Sequence, residues 1–328
     1  MELSLHEFKE KFNNNLFEIH WKHWTTLGTA SHVKPEKYWI IDLESLIIST
    51  LTIGLNDKRL LSSSVEWLIK NGDWMNLSRL KRIVKIFSKP LPLSKEHLLS
   101  PEIFDLLLET YNKNARNKII FKKTDLYLPE GNTFNEYKNI FYSFKIRDVV
   151  TKPKLQNPAL LQLLLRGIFG IDARTEILIY LLVNDNGNSN SIAKEIFYNQ
   201  KNVYKLLERW ANARIVTKIS QNKLSSYSLN RKKELLQAMG LKNMLKYLNW
   251  ARTFLVLDQI AKAIAIPQWS DDEYLLSSFS RELLDDVKLI AKSLNVNVPE
   301  PTSFPGKRYF SPFASMALNI LKKLNRKA

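Results

Sequence analysis

The sequence predicts a mostly α-helical protein with a small β element near its middle. Three observations carry that expectation. Apolar residues recur at i, i+3, i+4 and i+7 along much of the chain, as in Val203, Leu206, Leu207 and Trp210. Only 9 Gly and 12 Pro among 328 residues argue against a turn-dense all-β fold. Strand-like character is concentrated at 216–220 and 224–229, two short segments separated by the hairpin-length gap Gln221-Asn222-Lys223. A composition of 45% apolar and 11% aromatic residues excludes disorder, and the length suits two or three domains.

Element by element, Ser4 and Glu7 form a capping box ahead of Phe8 and Phe12, so a helix opens the chain. A turn-like segment from Gly28 to Pro35 follows. Asp42 caps the apolar run 43–53, which Gly54 stops, and Asn56-Asp57 opens a helix closed by Asn71-Gly72. Helices are expected at 77–87 and 100–116, and a short strand at 119–128. The Thr151–Pro158 stretch, with two prolines among polar residues, marks a domain boundary. Beyond it come a helix at 159–169, helical sequence at 231–266 interrupted near Gly240, a helix N-capped by Ser270, a proline-rich loop at 299–312 and a last helix at 313–324. The expected division is 1–150 (helical, role unassigned), 159–230, and 231–328 (helical).

The middle segment is the most specific. Asp172 caps a helix carrying Ile177, Leu178, Leu181 and Leu182, and Ser189 stands where the next N-cap belongs. Ile192-Ala193 and Ile196 line a second helix. After a tight turn at 197–199, a third helix runs from about Gln200 and leads into the two β-like segments. Helix, helix, turn, helix and hairpin in that order make a winged helix-turn-helix. The positions Ser189, Ile192-Ala193, Ile196, Val203, Leu207, Trp210 and Ile215-Val216 resemble the DNA-binding domain of MarR- and ArsR-type transcriptional regulators over residues 170–230. Two positions depart from that family, which places Gly in the turn and after the third helix. Here they are Phe197 and Arg214, so each loop must either change shape or hold a non-Gly residue at positive φ.

The resemblance implies a sequence-specific regulator, not an enzyme, whose partners are double-stranded DNA and a second copy of the chain. The residue chemistry agrees. With Val203, Leu207 and Trp210 facing inward, Asn199, Gln200, Lys201, Asn202, Tyr204 and Lys205 face outward, beside Ser189. Amides can bond adenine bidentately, and lysines reach guanine or phosphate. Arg214, Lys218, Asn222 and Lys223 around the hairpin suit backbone contacts. Residues 166–233 hold twelve Lys/Arg against five Asp/Glu, in a chain of formal net charge +17. Further basic clusters lie at Arg79-Lys81-Arg82-Lys85-Lys89 and Lys113-Arg116-Lys118-Lys122-Lys123, and in the tail. Leu241, Met244, Leu248, Ala251 and Leu255, at 3-4-3-4 spacing, are the expected dimer seam on one helix.

Other chemistries have weaker footing. Gly28-Thr29 followed by Asp42-x-Glu44 is similar to a nucleotidyltransferase metal motif, which gives an alternative reading as an enzyme with an appended winged helix. Another is a winged helix used only for protein contact, as in an antitoxin-like partner. His20, His23 and His32 outline a metal site, but flanking Trp21 and Trp24 favour packing, so no metal or cofactor is expected. Zero Cys removes thiol catalysis and Cys-ligated zinc, and no P-loop, GxSxG or HExxH occurs. No signal peptide or membrane-spanning run is found, so the expected location is the cytoplasm. An effector ligand cannot be read from these residues.

Overall fold

A computed structural model describes residues 4–120, 132–221, 224–241, 246–270 and 272–326. It is 66% helical, with a small three-stranded antiparallel sheet. The first helices are α1 (Leu5–Thr26), α2 (Leu43–Ile53), α3 (Lys58–Asn71), α4 (Leu77–Phe87), α5 (Pro101–Asn114) and α6 (Asn132–Tyr142). Their N-termini are set locally. Ser4 and Glu7 make the reciprocal capping box, and Asp42, Asp57 and Asn76 cap α2, α3 and α4 by accepting from backbone N–H groups.

The middle of the chain forms α7 (Leu161–Phe169), α8 (Ala173–Val183), β1 (Gly187–Asn188), α9 (Ser189–Ile196), α10 (Gln200–Asn212), β2 (Val216–Gln221) and β3 (Leu224–Leu229). Strand order is β1-β3-β2, with Val216 opposite Leu229 and Lys218 opposite Tyr227. Gly187 is required where β1 pairs, because a Cβ there would lie 2.7 Å from the Tyr180 ring and 2.9 Å from Ile192. The chain ends in α11 (Lys232–Ala238), α12 (Trp250–Ala263), α13 (Pro267–Ser270), α14 (Glu273–Glu282), α15 (Leu284–Leu294) and α16 (Phe310–Leu324).

Burial divides these elements differently from the sequence. α12 lies against α2, and α16 against α1, so the regions before residue 150 and after 248 share one hydrophobic core. The 173–229 segment has its own small core of Ile177, Leu181, Ile192, Ile196, Val203, Leu207, Val216 and Tyr227. A third cluster, including Ile40, Leu165, Leu178, Leu182 and Leu241, joins the two.

Several local expectations need correction. Asn188, not Ser189, is the N-cap of α9, because its side chain accepts from Ser191 N and Ser191 answers in a capping box. Asp272, not Ser270, caps α14. The last helix begins at Phe310 rather than 313, within the proline-rich segment. Residues 119–120 are not strand, and 121–128 lie outside the described residues. The dimer seam fails as a single helix. Leu241 and Leu248 sit outside helices and are buried in two different clusters, Leu255 is on α12, and Met244 lies outside the described residues. No helix among the described residues is long and apolar enough to cross a membrane.

His20 and His23 of α1 are packed into the core. His20 is buried and bonded to Leu16 O and Ser49 Oγ, while His32 is exposed. No group of three metal-capable side chains occurs among the described residues. His23 is buried edge-on to Trp250 at 4.6 Å, and neither ring nitrogen has a hydrogen-bond partner. Burial pushes His20 down to about 4 and His23 well below the usual imidazole range. Both are therefore neutral in the fold but protonate in the unfolded chain below about pH 6.5, so they remove stability as pH falls through that value toward 4. His23→Phe, similar in volume and free of orphaned nitrogens, should raise stability in urea unfolding by about 1–2 kcal/mol at neutral pH. The gain should grow toward pH 5.

Candidate nucleic-acid interface

α9 and α10 meet in a three-residue turn. Phe197 occupies the left-handed region (φ 59°) and donates its N–H to Ala193 O, as does Tyr198. Asn199 then caps α10 by accepting from Lys201 N at 2.9 Å. Val203 and Leu207 are fully buried in the small core with α8, α9 and β2. That fixes the rotation of α10 and turns Asn199, Gln200, Lys201, Asn202, Tyr204 and Lys205 to solvent. After α10, Arg214 is also left-handed (φ 57°). Both places where Gly was missing therefore hold a non-Gly residue at positive φ.

The expected site residues are not equivalent. Asn199 is committed to its cap, and Gln200 Nε2 donates to Ser189 Oγ at 2.9 Å, joining the starts of α9 and α10. The side chains of Asn202 and Lys205 have no hydrogen-bond or ion-pair partner among the described residues. Lys218 is paired with Glu208 at 2.8 Å, and Glu208 also accepts from the Tyr227 hydroxyl at 2.5 Å. That hydrogen bond to Glu208 raises Lys218 above its ordinary value, yet the amine remains at the surface. Lys218 thus belongs to a hairpin-to-α10 clamp first. The exposed Ile215 and Ile219 lie beside it on the same hairpin. Asn222 and Lys223 lie outside the described residues.

What holds this face in place was not foreseen. Asp42 and Glu44 at the start of α2, Arg79 on α4, Arg166 on α7 and Glu176 on α8 form one buried ionic network. Arg79 grips Asp42 with both Nη atoms, at 2.6 and 2.5 Å, and reaches Glu44 at 2.7 Å. Arg166 is bidentate to Glu44 at 2.8 and 2.7 Å and bonds Glu176 at 2.6 Å. Gln162 completes the set, accepting from Leu43 N and donating to Glu176. Burial works to raise the Asp42 and Glu44 carboxyls. The guanidinium of Arg79 on Asp42, and those of Arg166 and Arg79 on Glu44, outweigh it and hold both below the usual range.

The network reaches the turn directly. Arg79 Nε donates to Ile196 O at 3.0 Å, and Arg82 Nη1 to Phe197 O at 3.2 Å. Asn76 donates to the Tyr198 hydroxyl at 2.7 Å, and Arg82 lies over the Tyr198 ring. The basic cluster at 79–89 therefore splits: Arg79 and Arg82 face the turn, while Lys81, Lys85 and Lys89 are exposed. The Asp42-x-Glu44 pair stands where the capping reading expected it. It begins a helix rather than ending a strand, both carboxylates are engaged by arginine, and Gly28-Thr29 bonds instead to residues 149–151. The sequence did hold a signal, since Gln162 and Arg166 interrupt the most apolar run of the chain.

No protein-family model, curated protein or solved structure matches the chain.

Removing one member of a buried network strands the others. Arg79→Met should cost about 3–5 kcal/mol in urea unfolding. Amide exchange at 196–200 should speed up more than in α1 or α16, because that backbone loses its anchor. Uniform acceleration across the chain would show that the turn is not specially dependent on Arg79.

Proposed function

We propose that residues 172–230 are a winged helix-turn-helix that binds duplex DNA, and that the chain is a sequence-specific transcriptional regulator. In this reading α8, α9 and α10 are the three helices, α10 enters the major groove, and β2–β3 is the wing. The observation that carries it is the outward face of α10. Lys201, Asn202, Tyr204 and Lys205 are all exposed on one helix whose opposite side supplies the segment's core. Nothing in the local packing requires amides and lysines there, whereas base edges and phosphates do.

The α9–α10 turn, the hairpin after α10 and the two left-handed residues at the family's Gly positions support the same reading. The body holds the turn through the Ile196 and Phe197 carbonyls, while Lys201, Asn202, Tyr204 and Lys205 stay exposed. Within the interface, Asn202 and Lys205 are the readers, while Gln200 and Ser189 hold the two helix starts together and meet phosphate. A single such module spans few base pairs, so two copies of the chain on one site belong to the proposal. Sedimentation of the DNA complex tests that point, with one chain per site as the contrary result.

Gel-shift titration on duplex DNA tests the main reading. Affinity should fall steeply with salt, with a log–log slope of about −0.9 per neutralised phosphate. Asn202→Ala should weaken a selected site by about 1–3 kcal/mol and leave nonspecific duplex unchanged. Lys205→Ala should weaken the selected site too, with a smaller salt slope. Absence of duplex binding at low salt would return this face to protein contact.

Arg214→Gly separates strain from function. Relief of a left-handed non-Gly residue should raise stability by up to about 1 kcal/mol, while loss of the guanidinium weakens all duplexes alike. Thermal unfolding and the same gel shift read the two effects.

A further inference from the structure

Where α8 and α9 face the body, a cleft of about 480 Å³ opens between two walls. One wall is α8 and α9, which bring Tyr180 and Glu195 to it. The other is the 247–249 segment with α12 and α15, which bring Tyr247, Arg252 and Lys292. That size falls in the range of small-molecule sites. Asn249 ties the walls together: it caps α12 by accepting from Arg252 N at 3.0 Å, and its Nδ2 donates to Glu195 O at 3.4 Å.

Glu195, Arg252 and Lys292 are the charged residues that line this cleft, and the protein leaves all three unmatched. Their side chains have no hydrogen-bond or ion-pair partner among the described residues. Glu195 and Arg252 do not pair with each other, although Asn249 links the elements that carry them. Burial is the main reason that the Tyr180 and Tyr247 hydroxyls are raised above the ordinary phenol range, and the Glu195 charge adds to it at both. The Glu195 carboxylate therefore lies near two rings that line the cleft. The negative charge belongs to the 173–229 segment, and both positive charges belong to the body.

We propose that the cleft binds an amino acid with an apolar side chain, as its zwitterion. The ligand carboxylate pairs with Arg252, whose guanidinium can hold it through two parallel hydrogen bonds, and Lys292 adds charge of the same sign. The ligand ammonium donates to Glu195. The half-buried Val183 and the 52% exposed Leu289 offer apolar surface to the side chain. A simple anion would bring like charge to Glu195, and a simple cation would bring it to Arg252 and Lys292. A ligand carrying both charges matches both walls and ties the segment to the body.

Calorimetric titration of the full chain with L-leucine, N-acetyl-L-leucine and L-leucinamide tests this without DNA, so it is independent of the duplex reading. Acetylation removes the ammonium and the amide removes the carboxylate, so L-leucine should bind about ten-fold more tightly than either. Glu195→Gln should erase the preference over N-acetyl-L-leucine and keep the preference over L-leucinamide. Arg252→Gln should do the reverse, with circular dichroism confirming the fold of both variants. A merely structural role for either residue would weaken all three ligands alike, and that result would overturn the proposal. So would no binding of L-leucine, equal affinities in the wild type, or tighter binding of either singly charged analogue.

Discussion

Two arginines and three carboxylates, withdrawn from water at one junction, hold the 173–229 segment on the helical body. Desolvating each ion costs several kcal/mol, and attraction offsets it only when the hydrogen bonds are satisfied. Here they are: Arg79 and Arg166 are each shared between two carboxylates, and backbone carbonyls of Ile196 and Trp74 take further donors. Directional bonds of this kind specify one docking geometry, whereas the apolar cluster around Leu165, Leu178 and Leu182 alone would tolerate sliding.

α2 is the common element. Its N-terminus carries two of the carboxylates, and the helix runs buried along α12. α12 begins beside the junction too, where Asn249 reaches Glu195 O and Trp250 Nε1 donates to Ile40 O.

The two left-handed residues show how context sets the cost of a backbone conformation. Phe197 lies in that region, but its ring packs on the body core near Arg79, and its carbonyl is held by Arg82. Side-chain burial offsets the strain there. Arg214 is exposed, and its backbone is held by its carbonyl, which accepts from Asn230. Its side chain has no comparable packing to offset the strain, and a solvent-facing guanidinium next to the hairpin is what the position supplies instead.

Much of the local structure was legible in the residues alone. Capping groups at Ser4, Asp42, Asp57 and Asp172, the 77–87 helix, the hairpin and the inward Val203-Leu207 face all follow from interactions within a few residues. At 197 and 214 the residues left two outcomes open, a changed loop or a non-Gly residue at positive φ, and the structure has the second at both. Where two caps compete within a residue or two, as Asn188 with Ser189 and Asp272 with Ser270, sequence pattern chose wrongly because either side chain has the chemistry and only loop geometry selects. The single helix expected across 241–255 failed for a related reason: apolar spacing records which residues are buried, not whether one helix carries them. Glu44, Arg79, Arg166 and Glu176 lie far apart in the chain, and a charge reads as solvent-facing until its partner is known. Those partners lie between 10 and 122 residues away, and only chain folding brings them within 2.8 Å. The shared core of the two flanks was decided in the same way. Local sequence determined most of the helices and the exposed polar face of α10, and tertiary packing decided what each is fastened to, because desolvation acts on groups that meet in space rather than in sequence.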